Sequence, residues 1–306
     1  MGANTRTVLA GALGVVVAVI LSAGCGGDAS ITVDGSSTVF PITQAVAEEF
    51  NSSGKRVEIS VGTAGTGGGF EKFCKGETDI SDASRPIKPE EKAACTKNKV
   101  AYQELRIATD GLSVVVNAKN DFVDCLTVSQ LTTIWGPDST VKSWDKVDPD
   151  FPDTKLSLYG PGTDSGTFDY FTEQINGEEG ASRSDYTASE DDNVLVQGVS
   201  GDEGSLGYFG YGYYLENKDA LKLVAVDSGK GCVKPSKATI DSGSYAPLSR
   251  PLFIYVAKDS LKRPEVVRFV DYYLKTVNDV VESAGFIAAP DAALTATRAQ
   301  WKAFKG

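Results

Sequence analysis

Residues 31–41 read ITVDGSSTVFP, which combines a short apolar strand, a turn of glycine and hydroxyl residues, and the start of a helix. Helical spacing continues beyond the turn, because Ile42, Val46 and Phe50 recur every four residues and Pro41 is tolerated in a first helical turn. The stretch therefore predicts a strand, loop and helix unit with hydroxyl groups at the beginning of the helix.

The same arrangement recurs three more times along the chain. Predicted strands at 57–61, 78–81 and 155–159 run into segments rich in Gly, Ser, Thr or Asp at 62–69, 82–86 and 160–167. Phe70 and Phe73 mark the helix after the first of these segments, and Phe168, Phe171 and Ile175 mark the helix after the last. This alternation of strands and helices predicts an α/β fold.

The length of 306 residues suggests two domains. Apolar strands at 112–117 and 252–256 each follow a turn-rich stretch, so we interpret them as crossings between two lobes. The predicted layout has lobe I built from 26–112 plus 250–306, with a helix at 263–284, and lobe II built from 113–249. Arg250 is interpreted as a structural or hinge residue, because it precedes a crossing strand.

The first 25 residues have the pattern of an export signal. Arg6 supplies the positive charge, 8–21 is apolar, and Leu21-Ser22-Ala23-Gly24 leads into Cys25, as in a lipobox whose leucine stands one position further out than usual. We expect a lipidated Cys25 and an exported protein anchored to the outer face of the cell membrane. An ordinary cleaved signal and an uncleaved anchor are the alternatives.

Four further cysteines remain, an even number for a chain bound for an oxidising compartment, so disulfides are expected. Four cysteines allow three pairings. We favour Cys74 with Cys95 and Cys125 with Cys232, because each pair then falls within one predicted lobe. A zinc site built from all four thiolates is the alternative, although no two of them have the close spacing that such sites use.

The composition excludes several classes of function. The chain has no His, so neither Ser-His-Asp nor Cys-His catalysis can operate, and no imidazole-based zinc site can form. The net charge of -11 argues against nucleic acid or anionic lipid as a partner of the folded body. The Gly-rich run has neither the P-loop pattern nor the dinucleotide spacing, so no nucleotide and no other cofactor is expected.

The four junctions are suited to an oxyanion. Ligands of open α/β sheets bind outside the carboxyl ends of strands, where Ser, Thr and Gly here stand at helix starts with unpaired N–H groups. Arg85 suits a bidentate contact with a tetrahedral anion, and Asp82 would accept the proton of a phosphate but repel sulfate. Two alternatives remain, namely that the junctions only cap helices and that Asp82 and Arg85 form a structural salt bridge.

Five motifs together resemble one family. They are DGSSTVFP at 34–41, GTGGGF at 65–70, ISDASRPI at 80–87, DSGT at 164–167 and PLSRPL at 247–252. In the same order and over nearly the whole chain beyond Cys25, they are similar to the phosphate-binding lipoproteins of the high-affinity phosphate ABC importer. The resemblance implies a two-lobed periplasmic-binding-protein-like fold of type II, with one phosphate held in the interlobe cleft of a monomer, no chemical reaction, and delivery to membrane permease subunits.

The resemblance also implies a set of ligand contacts. The first loop would donate from hydroxyl and backbone groups, Asp82 would accept the ligand's proton, and the second lobe would cap the ligand at a helix start. Some members have an arginine four residues before the Ser-Gly-Thr motif, where this chain has Pro161, and Arg85 is the substitute that we expect. The expected phosphate-binding residues are Ser37, Thr38, Val39, Thr66, Asp82, Arg85, Ser165, Gly166 and Thr167.

Other functions compete with phosphate binding. An aspartic protease would use Asp164 and Asp241, which both begin an Asp-Ser-Gly sequence, but Pro161-Gly162-Thr163 precedes the first where an apolar strand is needed. A phosphatase would lack the His residues that bind its metals or carry its phosphoryl group. A binding protein for another tetrahedral oxyanion and an adhesive surface lipoprotein remain as alternatives.

Overall fold

The computed structural model describes Gly2 and residues 30–54 and 57–306. The expected export signal, with Arg6, the apolar run at 8–21 and Cys25, lies outside the described residues. Among the helices that are described, none has the length together with the apolar composition needed to cross a membrane.

Lobe I begins with the three strand and helix units that the sequence predicts. In chain order its first elements are β1 (Ser30–Gly35), α1 (Phe40–Ser52), β2 (Glu58–Val61), α2 (Gly65–Phe73), β3 (Ile80–Ala83), α3 (Pro89–Lys97) and β4 (Tyr102–Asn117). Strand β1 lies between β2 and β3 and is parallel to both. The carboxyl ends of all three strands, and the loops that follow them, therefore meet at one edge of the sheet.

Strand β4 leaves lobe I and enters lobe II, and it is longer than the predicted crossing at 112–117. Lobe II then contains β5 (Cys125–Thr127), α4 (Val128–Trp135), β6 (Ser157–Pro161), α5 (Gly166–Asn176), β7 (Thr187–Ser189), α6 (Asp192–Gly201), β8 (Ser205–Gly210), α7 (Tyr211–Glu216), β9 (Leu221–Leu223), β10 (Ala225–Asp227), β11 (Cys232–Val233) and α8 (Lys237–Asp241). The second half of β4 pairs antiparallel with β8, which is followed by β6 and β7.

The chain returns to lobe I through a second crossing strand. The last elements are β12 (Ser249–Ala257), α9 (Pro264–Ser283), β13 (Ile287–Ala288) and α10 (Asp291–Lys305). Strand β12 lies between β3 and the first half of β4 and is antiparallel to both. Helix α9 is the helix predicted at 263–284, and it packs against α1 of lobe I as expected.

Each lobe has its own apolar core. The lobe I core joins the sheet to α1 and α9 through side chains such as Phe50 and Phe269, whose rings make an edge contact. The lobe II core includes Trp135, Phe171 and Tyr208, and the last two rings are stacked 3.7 Å apart. Two cores and two sheets that share β4 confirm the two-lobed α/β architecture, whereas the predicted domain limits near 112 and 250 stay predictions.

Both expected disulfides are present. Cys74 at the end of α2 is bonded to Cys95 in α3, and Cys125 in β5 is bonded to Cys232 in β11. The second bond lies in a small sheet of strand order β11-β10-β5 at the side of lobe II. Since all four sulfur atoms are used in these bonds, the alternative of a zinc site built from four thiolates is wrong.

Candidate ligand-binding cleft

A cavity of about 620 Å³ lies between the two lobes. Lobe I contributes the loops that follow β1, β2 and β3, and the start of β12 forms the wall near the crossing strands. Lobe II contributes one face of α5, from Gly166 to Gln174, and Glu179 beyond the end of this helix. The cavity is therefore placed where the carboxyl ends of parallel strands meet, which is the usual binding position in this class of sheet.

The loop after β1 is held against β3 by its backbone. Ser36 donates its N–H to the carbonyl of Asp82 at 3.0 Å, and Gly35 has a φ of +144°. A Cβ atom at Gly35 would lie 2.1 Å from the same carbonyl, so only glycine allows this approach. The loop then presents Ser37 and Thr38 to the cavity.

Asp34 ties this loop to the Gly-rich loop after β2. One carboxylate oxygen accepts the N–H groups of Gly35 and Ala64 at 2.8 and 2.9 Å, and the other pairs with the ammonium of Lys72. Burial acts to raise the pKa of Asp34, but Lys72 and the two N–H donors outweigh it and lower the pKa below its ordinary value. Asp34 is thus a charged anchor that fixes two cavity loops relative to each other.

Thr66 and Ser84 form a hydroxyl pair on the cavity wall of lobe I. Their hydroxyl oxygens lie 3.0 Å apart, and Ser84 also donates its N–H to Thr66 Oγ1 at 3.2 Å. Thr66 stands in the first turn of α2, and Ser84 directly follows β3. Two neighbouring junctions therefore supply adjacent hydroxyl groups to the same wall.

Arg85 lines the cavity and is held there by Glu91. Its two terminal nitrogens donate to the two carboxylate oxygens of Glu91 at 2.9 and 2.8 Å. Arg85 therefore pairs with Glu91, and the alternative of an Asp82 to Arg85 salt bridge is wrong. The bidentate contact fixes the plane of the guanidinium at the edge of the cavity.

Asp82 lies in the core and does not line the cavity. Its side chain is fully buried, and neither carboxyl oxygen meets hydrogen-bond geometry with any described residue. Burial raises the pKa of Asp82 to about 8, with a lowering contribution from Thr43 and a raising one from Asp34. The carboxyl group is therefore mainly protonated at neutral pH.

The beginning of α5 closes the cavity from lobe II. The Ser165 side chain caps the helix by accepting the N–H of Thr167 at 3.2 Å. Gly166 faces lobe I so closely that a Cβ atom there would lie 2.3 Å from Thr38 Oγ1 and 2.8 Å from Ser37 Oγ. The N-terminus of α5 and the first loop of lobe I therefore form opposite walls of a narrow passage.

Arg250 occupies the wall between the lobes. Its guanidinium donates to Thr38 Oγ1 at 2.7 Å and to the Gly166 carbonyl at 3.2 Å. The group lies 3.6 Å from the centroid of the Tyr170 ring and pairs with the buried carboxylate of Asp110 at 3.2 Å. The interpretation of Arg250 as a structural or hinge residue stays a prediction, and the structure adds that its charged group lines the cavity.

Three carboxylates of lobe II also line the cavity, namely Asp169, Glu173 and Glu179. Burial raises the pKa of Asp169 to about 6, with a further raising effect from Glu179, while Arg250 and the Ser37 side chain lower it. Asp169 stands in the first turn of α5 and belongs to no ion pair within 4 Å among the described residues. Its carboxylate therefore lines the cavity without an ionic partner among the described residues.

The expected site residues divide into two groups. Five of them line the cavity: Ser37, Thr38, Thr66, Arg85 and Gly166. The other four do not: Val39, Asp82, Ser165 and Thr167. Three further residues line the cavity but were not among the expected ligands, namely Ser84, Asp169 and Arg250. Ser84 and Arg250 stand in quoted motifs, and Asp169 follows one by two residues.

Asp164 and Asp241 lie in unrelated environments. Asp164 precedes α5 and its N–H donates to Glu190, whereas Asp241 ends α8 and pairs with Lys237 at 3.2 Å. No described hydrogen bond joins the two carboxyl groups. An aspartic protease needs two carboxylates that share a proton, so the arrangement does not support that alternative.

Comparison with known proteins identifies the family. The family model described as a PBP superfamily domain matches residues 22–276. The chain is 51% identical over 267 residues to protein SphX of Synechocystis sp., covering 86% of this chain and 80% of that protein. It is 45% identical over 267 residues to the phosphate-binding protein PstS of Staphylococcus saprophyticus, covering 86% and 82%.

A solved structure agrees with this assignment. The crystal structure of a possible phosphate binding protein from Planctomyces limnophilus is 49% identical, superposes with a TM-score of 0.87, and covers 90% of this chain and 99% of that one. The resemblance inferred from the five motifs is thereby confirmed, and the relatives are binding proteins rather than enzymes. The chain belongs to the PBP superfamily, in the family of SphX and the PstS phosphate-binding proteins.

Proposed function

We propose that the protein binds one inorganic phosphate in the cleft between its lobes and delivers it to the permease of an ABC importer. The observation that carries this proposal is the set of donors around the cavity. They are the hydroxyls of Ser37, Thr38, Thr66 and Ser84, the guanidinium groups of Arg85 and Arg250, and the N–H group of Gly166 at the start of α5.

Donors that converge from both lobes suit a small tetrahedral anion. Hydroxyl and backbone donors approach from two lobes, and the helix dipole is positive at the start of α5. Both arginines already have carboxylate partners, Glu91 and Asp110, which fix their planar groups in advance. A fixed donor costs less conformational entropy on binding than a free side chain does.

The residues that we propose as phosphate ligands all line the cavity. Ser37, Thr38, Thr66, Ser84 and Arg85 contact the anion from lobe I, Gly166 donates its N–H from lobe II, and Arg250 contacts it from the crossing strand. Arg250 thereby supplies the positive charge that some relatives obtain from the position of Pro161. Direct phosphate contacts by Val39, Asp82, Ser165 and Thr167 stay predictions.

Binding is coupled to closure of the lobes. Phosphate that contacts Thr38 and Gly166 together stabilises the closed arrangement, because only then do both walls reach it. The hinge is the pair of crossing strands, at 112–117 in β4 and at 250–256 in β12. The closed form is the one that docks on the membrane permease.

Export and anchoring complete the proposal. Lipidation of Cys25 would hold the protein at the outer face of the cell membrane, close to the permease. Replacing Cys25 with Ala should release the protein from the membrane fraction, and the mass of the N-terminal peptide would reveal an acyl group. A membrane-bound C25A protein would contradict lipid anchoring but not phosphate binding.

Calorimetric titration tests the binding proposal. The purified protein is freed of bound ligand by partial unfolding and refolding, and is then titrated with phosphate and with sulfate near neutral pH. One-to-one binding of phosphate with little heat from sulfate is expected. Preferential binding of sulfate would favour a carrier for another oxyanion, and no heat from either anion would favour an adhesive lipoprotein.

A further inference from the structure

We propose that a basic groove between α9 and α10 of lobe I binds the headgroups of anionic phospholipids and holds the anchored protein against the membrane surface. The inference rests on the proposed function in one respect, the lipid anchor at Cys25. It adds a surface of the folded body that contacts the membrane and shares no lining residue with the phosphate cleft.

The groove has an apolar floor and a basic rim. Its volume is about 490 Å³, and Leu274 of α9 and Trp301 of α10, both almost fully buried, form the floor. The other lining residues are charged, namely Asp271, Lys275, Arg298, Lys302 and Lys305. Four basic side chains thus accompany one carboxylate, so the groove is positive although the whole chain has a net charge of -11.

Hydrogen bonds between the two helices fix the shape of the groove. Asp271 accepts from Trp301 Nε1 at 2.7 Å and from Lys305 Nζ at 2.5 Å. Arg298 donates through Nε and Nη2 to the Leu274 carbonyl at 2.9 and 2.7 Å. The carboxylate of the groove is therefore already paired, and a preformed positive groove loses little conformational entropy when a ligand binds.

Three of the basic side chains have no acidic partner. Lys275, Arg298 and Lys302 take part in no ion pair within 4 Å among the residues that the structure describes. Lys302 lies in the last turn of α10, where a positive charge also suits the helix dipole. Lys275 and Arg298 lie in the middle of their helices, so the dipole does not account for them. A negatively charged partner suits all three side chains.

The groove lies at the end of lobe I where β1 begins. The carbonyl of Ser30, the first residue of β1, accepts from Arg263 Nη1 at 2.8 Å. Arg263 directly precedes α9, and Asp271 stands about 12 Å further along that helix. Helix α10 ends in the same region, because the Phe304 carbonyl accepts from Lys258, which directly follows β12. This end of the lobe is opposite the carboxyl ends of β1, β2 and β3, which face the cleft.

This position favours a lipid surface as the partner. A lipid on Cys25 would keep Ser30 close to the membrane, since the segment from Cys25 to Ser30 spans at most about 18 Å even when fully extended. Each Lys or Arg near an anionic membrane surface strengthens attachment roughly fivefold. The acidic remainder of the body is repelled by such a surface, so the basic groove is the part that faces it. Attachment at this end leaves the cleft and lobe II away from the lipid.

Tryptophan fluorescence tests this contact, because Trp301 lies in the groove whereas Trp135 and Trp144 lie in the core of lobe II. The full-length protein is reconstituted into vesicles of phosphatidylcholine, with or without phosphatidylglycerol, in which some headgroups carry a nitroxide quencher. Quenching is expected only in the vesicles that contain the anionic phosphatidylglycerol. It should disappear near 1 M salt, where the Debye length is only about 3 Å.

Three variants locate the contact. The double variant K275Q/K302Q should lower the ratio of membrane-bound to free groove by roughly tenfold or more, seen as a loss of quenching. The matched control is K218Q/K230Q, which removes the same charge from two exposed lysines of lobe II and should be quenched like the wild type. W301F lacks the reporter and should show no quenching. Thermal unfolding verifies that each variant folds, and the lysine variants decide the question should W301F not fold.

The opposite results overturn the proposal. Equal quenching with and without phosphatidylglycerol, equal loss in the two lysine double variants, or quenching that persists in W301F would each refute lipid binding by the groove. No quenching of the wild type in either kind of vesicle would refute it as well and favour an acidic protein as the partner. Flotation of the wild type with phosphatidylcholine vesicles reports the anchor, and phosphate titration reports the cleft, so failure of the proposed function is seen separately.

Discussion

Arg250 Nη2 donates a 2.7 Å hydrogen bond to Thr38 Oγ1, which connects the strand returning from lobe II to the first loop of lobe I. The same nitrogen reaches the Gly166 carbonyl of lobe II at 3.2 Å. One guanidinium group therefore contacts both walls of the cleft and the crossing strand. The closed arrangement is organised around this side chain.

Replacing Arg250 with Lys should weaken phosphate binding by roughly tenfold to a hundredfold, because a lysine cannot bridge both walls with a planar group. R250A should in addition lower the free energy of unfolding by roughly 3 kcal/mol, since Asp110 is then buried without its partner. Calorimetry and denaturant unfolding measure the two effects. Asp110→Asn added to R250A should restore part of the stability, and a double variant as unstable as R250A would contradict this explanation.

Replacing Gly166 with Ala should prevent the lobes from closing. The added Cβ would lie 2.3 Å from Thr38 Oγ1 and 2.6 Å from the Thr38 nitrogen. Because closure is required for contacts from both lobes, the apparent phosphate affinity should fall by roughly tenfold or more. The matched control is G201A at the end of α6, where a Cβ meets no atom within 4 Å. Equal affinities of the two variants would refute the close approach at Gly166.

Replacing Asp82 with Asn should change how stability depends on pH. Burial raises the pKa of Asp82 from 3.8 to about 8, so folding disfavours the ionised form. The contribution of Asp82 to stability is therefore fully present below about pH 4 and is lost as the pH rises to about 8. D82N has no carboxyl group to ionise, so its free energy of unfolding relative to the wild type should rise by on the order of a few kcal/mol from about pH 4 to about pH 8 and then stay constant.

Thermal or denaturant unfolding of the two proteins at several pH values measures this difference. Asp169 and Asp192, whose pKa values are raised to about 6 and about 7, titrate in the same range and are present in both proteins. The gain of D82N over the wild type therefore isolates Asp82. If the difference in free energy of unfolding between D82N and the wild type does not vary with pH, Asp82 is ionised in the folded protein.

Removing the two disulfides separately should cost unequal amounts of stability. The Cys125–Cys232 bond closes a loop with a sequence separation of 107 residues, and Cys74–Cys95 one of 21 residues. In the chain-entropy model the longer loop contributes about 5 kcal/mol and the shorter about 3 kcal/mol. Urea unfolding of the two Cys→Ser double variants compares them. A larger loss for the shorter loop would show that native contacts, rather than chain entropy, decide the order.

Much of the fold follows from local pattern. The apolar residues of β1 and the helical spacing of Ile42, Val46 and Phe50 predict a strand and a helix that the structure confirms. The third strand was predicted at 78–81 and lies at Ile80–Ala83, because pairing with β1 and β12 rather than local composition sets its limits. Asp82 was consequently expected in the loop but stands within the strand.

The junctions that contain Ser37, Thr38, Thr66 and Gly166 could be recognised from the sequence, since hydroxyl residues and glycine at a helix start follow a predicted strand. Residue type and spacing were enough to predict these junctions, whereas the individual residues as phosphate ligands followed from the resemblance to the family. The positions of Arg250, Asp169 and Asp82 relative to the cleft depended on which side chains meet across segments that are far apart in sequence. Only the tertiary structure decided these, because burial removed Asp82 from the cleft, while the packing of β12 and α5 brought Arg250 and Asp169 into it.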